Sequence, residues 1–182
     1  IYTGEDTLSL HDALPISTLT NHKSINLFAE GLLGILAYQL TGNGETKAGI
    51  DQIYKYWSKK MDITGLFLQD GSGLSRSNGI SADHFCSLLK EMYASKNYQL
   101  FLASLPIAGK SGTISSLCKN QAGEGRVYAK SGTISKIKSY AGYVFSTSGK
   151  KIAFAITINN YTCTNLELRK QLEVIFNALA VY

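Results

Sequence analysis

The chain has 182 residues, of which 45% are hydrophobic and 17% charged, and its formal net charge is +5. These values are typical of one globular domain. Its lysines are spread without a sustained basic run or a recognised nucleic-acid-binding module, so the charge gives no support for nucleic-acid binding. The longest apolar stretch, residues 27–40, contains Glu30 and Gln39 and is shorter than the roughly 20 residues that cross a bilayer. We therefore predict no transmembrane segment.

The start of the chain differs from the rest. Residues 7–17 resemble the translation of a common short-read sequencing adapter, and we interpret residues 1–17 as a sequencing artefact. The alternative is an ordinary polar or disordered terminus with a turn at Pro15. On the first interpretation His11 and Asp12 carry no catalytic meaning, and the domain comprises residues 18–182.

Two helices are predicted first. Ser24 is a suitable N-cap, and apolar residues recur every three to five positions over residues 27–40, which predicts a helix. The Gly-Asn-Gly sequence at residues 42–44 ends it. Apolar spacing predicts a second helix over residues 47–60.

A mixed region follows. Residues 63–68 are short and apolar, which predicts a strand leading into a turn at residues 70–73. Ser81 is expected to cap a further helix that carries Phe85 and Met92. Residues 106–125 are rich in glycine and are interpreted as a long loop or a broken hairpin.

The residue pattern of the last part of the chain predicts a sheet covered by a helix. Residues 126–129, 139–146 and 151–158 have the pattern of three strands in an antiparallel meander. The terminal segment is amphipathic, with Thr164 as a possible cap, and its apolar face is expected to cover the sheet. The predicted fold class is α+β, with helices packed on an antiparallel sheet.

Two short motifs about a hundred residues apart carry the chemistry. They are Ser-Ile-Asn at residues 24–26, continued as Leu-Phe-Ala-Glu, and Lys-Ser-Gly-Thr at residues 130–133. Between and after them come Asp-Gly-Ser-Gly-Leu-Ser-Arg (70–76), Leu-Pro-Ile-Ala-Gly (105–109) and Ala-Gly-Tyr (141–143). In this order the five segments resemble the D-alanyl-D-alanine carboxypeptidase/endopeptidase family of penicillin-binding protein 4 type, peptidase family S13.

The resemblance implies a penicillin-binding, serine β-lactamase-like transpeptidase domain, here partial. The family's nucleophile lies in a Ser-x-x-Lys motif ahead of the first of these segments, and nothing before Ser24 matches it. We therefore interpret the chain as the C-terminal part of the catalytic domain, inactive alone because removal of a covalent nucleophile leaves only binding and electrostatics. The family's sheet has two further strands from the missing region, so the isolated chain is expected to fold poorly and to expose an unpaired edge.

The implied reaction is acyl transfer from a peptide ending in D-Ala-D-Ala, through a serine ester, to water. It needs a nucleophile, a proton shuttle, an oxyanion cradle and an anchor for the substrate carboxylate. By resemblance, Ser24 relays a proton to the leaving amine, Asn26 holds the substrate amide and orders the shuttle lysine, and Lys130 supplies positive charge. These three residues are the expected catalytic set.

The other residues of the second motif are expected to bind substrate. The hydroxyls of Ser131 and Thr133 can bind the terminal carboxylate through charge-assisted hydrogen bonds. Gly132 leaves the strand edge clear for the substrate. The resemblance also implies that the Thr133 N–H donates to the oxyanion, and that the substrates are peptidoglycan stem peptides and the inhibitors β-lactams. The implied location is the periplasm or cell envelope, and no cofactor is expected.

Several alternatives remain open at this level. Lys-Ser-Gly-Thr also occurs at residues 110–113, which we interpret as a surface turn after Pro106 and Gly109. Gly109-Lys110-Ser111 is similar to the end of a nucleotide-binding P-loop, but Ser104 stands where that motif needs glycine. A peptidoglycan-binding protein that lost the serine and a β-lactamase are further alternatives. The turn at residues 70–73 is left out of the catalytic set.

Neither the internal Ser-x-x-Lys pairs nor the cysteines point to further chemistry. We expect none of the pairs to supply the nucleophile, because all follow Ser24; the serines are Ser87, Ser116, Ser135 and Ser148. The three cysteines lack C-x-x-C spacing and the histidines are scattered, so no metal site is predicted. A disulfide between two of the cysteines stays possible at this level.

Overall fold

The computed structural model describes residues 10–182, with side chains described from residue 15 onwards. The proposed artefact therefore lies partly outside the described residues, as do the side chains of His11 and Asp12. The helices are α1 (Leu10–Lys23), α2 (Asn26–Thr41), α3 (Thr46–Trp57), α4 (Ala82–Ala94), α5 (Tyr98–Ser104) and α6 (Asn165–Val181), with a 3₁₀ turn at Gly112–Ile114. The strands are β1 (Val127–Ile134), β2 (Ile137–Phe145) and β3 (Lys151–Asn159).

The three strands form the predicted antiparallel meander in the order β1-β2-β3. β1 is longer than predicted and continues through the whole Lys-Ser-Gly-Thr motif, because residues 130–134 pair with β2. In this register Ser131 lies opposite Tyr140, and Thr133 lies opposite Lys138. Within the described residues β3 pairs only with β2, so its other edge has no strand beside it.

Helix α6 covers one face of this sheet, as its amphipathic pattern predicts. Phe176 is fully buried and packs edge to face on Tyr140 and Phe154, with ring centroids 5.6 Å and 5.3 Å away. Thr164 caps α6 through a capping box with Glu167, which confirms the predicted cap. The cap fixes the start of α6, and the ring contacts of Phe176 hold one face of the helix against β2 and β3.

Helices α4 and α5 pack on the sheet's other side. The Tyr143 hydroxyl of β2 donates to the Leu89 carbonyl of α4 at 2.7 Å, and the Tyr98 ring of α5 contacts Tyr143 edge to face. Ser81 caps α4 as predicted, in a capping box with His84. Helix α5 is absent from the sequence-based prediction.

The region between α3 and α4 corrects one prediction and confirms another. Residues 63–68 do not form a strand, and Phe67 makes only an isolated bridge to Gly79. A side chain of α3 bonds this backbone instead, since the Tyr54 hydroxyl donates to Leu66 O (3.2 Å) and accepts from Leu68 N (2.8 Å). The turn at residues 70–73 is present.

Helix α2 ends as predicted but begins differently. Gly42 adopts the left-handed conformation that terminates it. Ser24 is not its N-cap: Ile25 occupies that position, and no side chain caps the helix. The predicted cap is wrong because Ser24 has a positive φ of 55° and its hydroxyl contacts Lys130 instead.

The glycine-rich segment of residues 106–125 is ordered against the sheet. Ala108 N donates to Val127 O and Ala129 N donates to Pro106 O, at 2.9 Å and 3.0 Å, so the start of the segment lies along the outer edge of β1. This pairing ends at Ala129, directly before the Lys-Ser-Gly-Thr motif.

The structure shows whether the cysteines form disulfides and whether any described helix could span a membrane. Cys86, Cys118 and Cys163 are all free thiols, so no two of them form a disulfide. Cys118 is buried, and this burial raises the pKa of its thiol to about 12. Within residues 10–182 no helix combines the length and the apolar character that a membrane span requires.

Candidate active site

The two sequence motifs meet where the α1–α2 junction faces β1. The Lys130 ammonium donates to Ser24 Oγ at 2.8 Å and to the carbonyl of Ser131 at 2.6 Å. Residues 106 positions apart in the sequence are therefore in direct contact. A hydroxyl that accepts a hydrogen bond from an ammonium is suited to proton transfer, because a donor and an acceptor are already aligned.

Ser24 reaches this position through an unusual backbone conformation. It lies between the last residue of α1, Lys23, and the N-cap of α2, Ile25, and its φ of 55° is in the left-handed region. For a residue other than glycine this conformation costs on the order of 1 kcal/mol or more. The strain turns the chain between two helices and leaves the Ser24 hydroxyl facing Lys130.

Lys130 has an electrostatic environment that favours loss of a proton. Burial lowers the pKa of Lys130, and the positive charge of Lys138 lowers it further. Neither effect is offset by a carboxylate, since Lys130 forms no ion pair with any described residue. The ammonium is therefore a stronger proton donor than an exposed lysine.

Asn26, the third expected catalytic residue, is not joined to the other two. It is the first residue of α2 and is exposed, and its side chain makes no hydrogen bond to the described residues. It lies at the same helix entrance as Ser24. Its amide group is thus available to a bound molecule.

The Ser131 hydroxyl has a partner that the sequence analysis missed. Ser131 Oγ and Thr113 Oγ1 are 2.8 Å apart and share a hydrogen bond. Thr113 ends the other Lys-Ser-Gly-Thr copy, which was predicted to be a surface turn. The copy does lie in a loop and a 3₁₀ turn, but it is in contact with the site. The repeated tetrapeptide was the available signal, and its spacing alone does not place the two copies side by side.

Lys138 is a second residue that the sequence analysis missed. Its ammonium donates to Thr133 Oγ1 at 2.7 Å. Burial lowers the pKa of Lys138. The contact follows from the strand register, in which Thr133 and Lys138 are opposite each other, but the predicted first strand ended at residue 129 and so hid this pairing.

Gly132 has a close neighbour across the sheet. A Cβ atom at this position would lie 2.6 Å from Ser139 Oγ of β2, closer than real Cβ contacts. The expected reason for this glycine, access of a substrate to the strand, stays a prediction. The close approach of Ser139 is a separate reason that arises from the fold.

The segment at residues 70–76 braces the helix that begins at the site. The Glu30 carboxylate of α2 accepts hydrogen bonds from Gly71 N and Ser72 N at 3.0 Å and 2.9 Å. Burial alone would raise the pKa of Asp70, but hydrogen bonds from Asn78, Ser75 and Gly73 hold it below its ordinary value. These contacts hold the loop against α2 and agree with the interpretation of residues 70–73 as a structural turn.

None of the serines in the internal Ser-x-x-Lys pairs is hydrogen bonded to Ser24 or Lys130. Ser87 lies in α4, and Ser135 lies in the turn between β1 and β2. Ser116 Oγ accepts from Arg169 at 3.1 Å, and Ser148 Oγ donates to the Tyr182 carbonyl at 2.7 Å. The prediction that these serines are not nucleophiles stays a prediction.

A Ser-x-Asn junction that faces a Lys-Ser-Gly-Thr strand, on an antiparallel sheet covered by helices, defines the class of penicillin-recognising serine enzymes that the sequence motifs indicated. Comparison with known proteins identifies the family within this class. The model of the D-Ala-D-Ala carboxypeptidase 3 (S13) family matches residues 3–179, and the chain therefore belongs to that family. The matched range overlaps residues 3–17, for which the artefact interpretation stays a hypothesis.

Individual relatives agree with this assignment. The chain is 37% identical over 145 residues to a D-alanyl-D-alanine carboxypeptidase of Actinomadura sp. (strain R39), covering 76% of this chain and 27% of that protein. The crystal structure of penicillin-binding protein 4 from Haemophilus influenzae matches with a TM-score of 0.83 at 26% identity, covering 92% of this chain and 40% of that one. The chain thus spans well under half the length of either protein.

The fold is shared more widely than the family. An extended-spectrum β-lactamase, TLA-1, matches with a TM-score of 0.65 at 19% identity, over 92% of this chain and 62% of that one. This likeness concerns the fold alone. It confirms the predicted β-lactamase-like α+β class.

Proposed function

We propose that this chain is the C-terminal part of the catalytic domain of a serine-type D-Ala-D-Ala carboxypeptidase/endopeptidase. In the longer protein it would cleave peptidoglycan stem peptides through an acyl-enzyme and bind penicillin and other β-lactams. The observation that carries the proposal is the 2.8 Å hydrogen bond from Lys130 to Ser24. It joins the two motifs whose chemistry the reaction requires.

The proton path of this proposal runs through Ser24. An upstream Ser-x-x-Lys motif, ahead of residue 18, would supply the nucleophilic serine and its shuttle lysine. Ser24 would pass a proton to the leaving amine, and the Lys130 ammonium would hold the Ser24 hydroxyl and favour that transfer. Asn26 would bind the substrate amide with its free side chain.

The carboxylate of the substrate would bind at the Lys-Ser-Gly-Thr strand. The hydroxyls of Ser131 and Thr133 each have one fixed partner, Thr113 and Lys138 respectively. These partners orient the two hydroxyls before substrate arrives, which reduces the ordering that binding requires. The N–H of Thr133 would donate to the oxyanion, and loss of one such donor typically lowers the rate by about a hundredfold or more.

The proposal also states where the enzyme acts and why residues 18–182 would be inactive alone. Such an enzyme would act in the periplasm or cell envelope, and it would need neither a metal nor an organic cofactor. Residues 18–182 would not be active alone, since the covalent nucleophile would be missing.

The test begins with the source DNA upstream of the codon for Thr18. We expect long-read sequencing to replace the adapter-like segment with coding sequence that contains Ser-x-x-Lys and a secretory signal. The full-length protein should then release D-alanine from a peptide ending in D-Ala-D-Ala and become labelled by fluorescent penicillin on the upstream serine. Peptide mapping of the label to Ser87 would contradict the assignment of the nucleophile.

A complete gene without Ser-x-x-Lys would contradict the assignment of this protein as a serine enzyme. If its product also bound peptidoglycan peptides without cleaving them, the non-catalytic peptidoglycan-binding protein of the same fold would replace it. Absence of both labelling and binding would contradict both functions.

A further inference from the structure

A cavity of about 310 Å³ lies beside the candidate carboxylate site. It is bordered by the segment around Thr113, by β2 at Lys138 and Tyr140, and by the first turns of α6 at Asn165 and Arg169. Its floor is apolar where α6 packs on the sheet. None of the motifs that the sequence analysis used accounts for this space.

Two cationic side chains line the cavity. Lys138 uses one ammonium hydrogen on Thr133 Oγ1, at 2.7 Å, which leaves two hydrogens for other acceptors. Arg169 donates from Nη1 to Ser116 Oγ at 3.1 Å. Its Nε hydrogen is buried and has no acceptor among the described residues. Lys138 therefore keeps two donors that the fold does not use, and the partly exposed Arg169 side chain keeps guanidinium hydrogens beyond the one that it donates to Ser116.

The anionic groups near these cations neutralise only part of their charge. Glu173 is 3.7 Å from Arg169 Nε, but its carboxylate also accepts from Cys118 N at 3.0 Å and from Gln121 at 3.3 Å. Glu167 is exposed and is bonded to Thr164 at the start of α6. Lys138 has no carboxylate partner among the described residues. Burial lowers its pKa, as expected for an ammonium that has lost solvent without gaining an anion.

Two residues connect the cavity to the candidate active site. Thr113 lines the cavity and bonds Ser131, and Lys138 lines the cavity and bonds Thr133. A substrate carboxylate bound by Ser131 and Thr133 would therefore lie beside residues that line the cavity. Alanine, with a single methyl group, would leave a space of this size largely unfilled.

We propose that this cavity is the subsite for the side chain of the substrate's C-terminal residue, the one that leaves on cleavage, and that Lys138 and Arg169 make it prefer an acidic side chain. The inference rests on the proposed function, because it takes Ser131 and Thr133 as the carboxylate site. It adds that the enzyme cleaves peptides whose leaving residue is larger than alanine and carries a second carboxylate.

Binding to the chain itself tests this subsite, since binding needs no nucleophile. The probes are N-acetyl-D-Ala-D-Glu and its neutral isostere N-acetyl-D-Ala-D-Gln, which differ in side-chain charge but hardly in size. We expect the D-Glu peptide to bind about threefold to tenfold more tightly, as measured by amide chemical-shift titration. The largest shifts should fall on residues around Thr113, Lys138 and Arg169. If the isolated chain gives no folded spectrum, the same titration is made on the full-length protein.

Variants on α6 separate the subsite from general charge attraction. Arg169→Gln should remove most of the D-Glu preference, and Arg169→Lys should retain much of it. The matched control is Lys170→Gln, which changes the net charge equally at the next, exposed position and should leave the preference unchanged. If Arg169→Gln alters the amide spectrum of the free chain, Lys138→Gln takes its place, with the same expected loss.

The outcomes distinguish this inference from the proposed function. Equal binding of the two peptides, or equal loss of preference in Arg169→Gln and Lys170→Gln, overturns the subsite and leaves the carboxylate site standing. Failure of both peptides to bind a folded protein overturns the carboxylate site and the subsite together. Penicillin labelling of the full-length protein then decides separately whether the enzyme assignment survives.

Discussion

The chain contains the same tetrapeptide, Lys-Ser-Gly-Thr, twice, and the two copies have different structures. Residues 110–113 lie in a loop and the start of a 3₁₀ turn, whereas residues 130–133 lie in the middle of β1. Gly112 has a φ of 61°, in the left-handed region, while Gly132 is paired in the sheet. The four letters alone therefore do not determine the backbone.

The side chains of the two copies also have different partners. Lys110 forms an ion pair with Glu124 at 2.7 Å, and Lys130 bonds Ser24 at 2.8 Å. Ser111 Oγ accepts a hydrogen bond from the Ile107 N–H, which stabilises the loop that contains both residues. Only the Thr113–Ser131 hydrogen bond joins the copies. The first copy thus supports the second, and the second faces the candidate site.

The largest expected difference between the copies is in catalysis. Lys130→Ala should lower the rate of penicillin acylation of the full-length protein by about a hundredfold or more, because under the proposed function it removes a charge beside the reacting groups. Lys110→Ala should change the rate less than threefold, since Lys110 is mostly exposed and pairs with Glu124, which is not a residue of the candidate site. Stopped-flow labelling with fluorescent penicillin measures both rates. Equal losses would remove the functional distinction between the copies.

For the free energy of unfolding, substitution of the glycine should matter more in the first copy, at Gly112, than in the second copy, at Gly132. Gly112→Ala should destabilise the chain by about 1–3 kcal/mol, since alanine is strained at a positive φ and its Cβ would lie 2.9 Å from Pro106. Gly132→Ala should cost less, because the contact is with the Ser139 hydroxyl, which can rotate away. Urea unfolding measures both.

A double variant checks the cause at Gly132. Adding Ser139→Ala to Gly132→Ala removes the crowding hydroxyl and should restore much of the lost stability. An additive result, with no recovery, would show that the close approach of Ser139 is not the reason for the glycine.

The contact between the copies should affect substrate binding moderately. Thr113→Val removes the partner of the Ser131 hydroxyl and should raise KM for a D-Ala-D-Ala peptide about twofold to tenfold, the range of one net hydrogen bond. Thr113→Ser should restore a value near that of the unchanged protein. A loss confined to kcat, or a failure of serine to rescue, would contradict a role in positioning the carboxylate site.

The smallest expected effect is a shift in titration. Burial and the charge of Lys138 lower the pKa of Lys130 below its ordinary value of 10.5, so its positive charge should be lost at a lower pH than that of an exposed lysine. Lys138→Met removes the second cause and should move the pKa of Lys130 back upwards. Titration of ¹³C-labelled lysine side chains by NMR measures both values. An unchanged pKa in Lys138→Met would show that the two ammonium groups do not interact.

Much of the fold follows from local patterns. The apolar periodicity of α6, its Thr164 cap and the strands flanking the turn at residues 147–150 were all predicted, because each depends on neighbours in the sequence. The wrong strand at residues 63–68 has the opposite cause. Its apolar pattern is compatible with pairing, but the Tyr54 hydroxyl from α3 bonds its backbone, and no local rule anticipates that contact.

Part of the candidate site could likewise be predicted from the sequence, and part could not. The residue types of the two motifs were read directly from the sequence, and so was the order in which they occur. The roles of Thr113 and Lys138 could not be read in this way, since each depends on which residue faces it across a loop or a strand. An error of five residues in the end of β1 was enough to hide the Thr133–Lys138 pair.

The family, the α+β class and the motif residues could all be read from the sequence, because they depend on side-chain chemistry and local periodicity. That Ser24 does not cap α2 but contacts Lys130 became visible only in the folded chain. The tertiary structure also decided that one Lys-Ser-Gly-Thr copy supports the other, and that two cations line a cavity beside the site. These features require residues far apart in the chain to be in contact, and such contacts form only when α1, α6 and the sheet pack together.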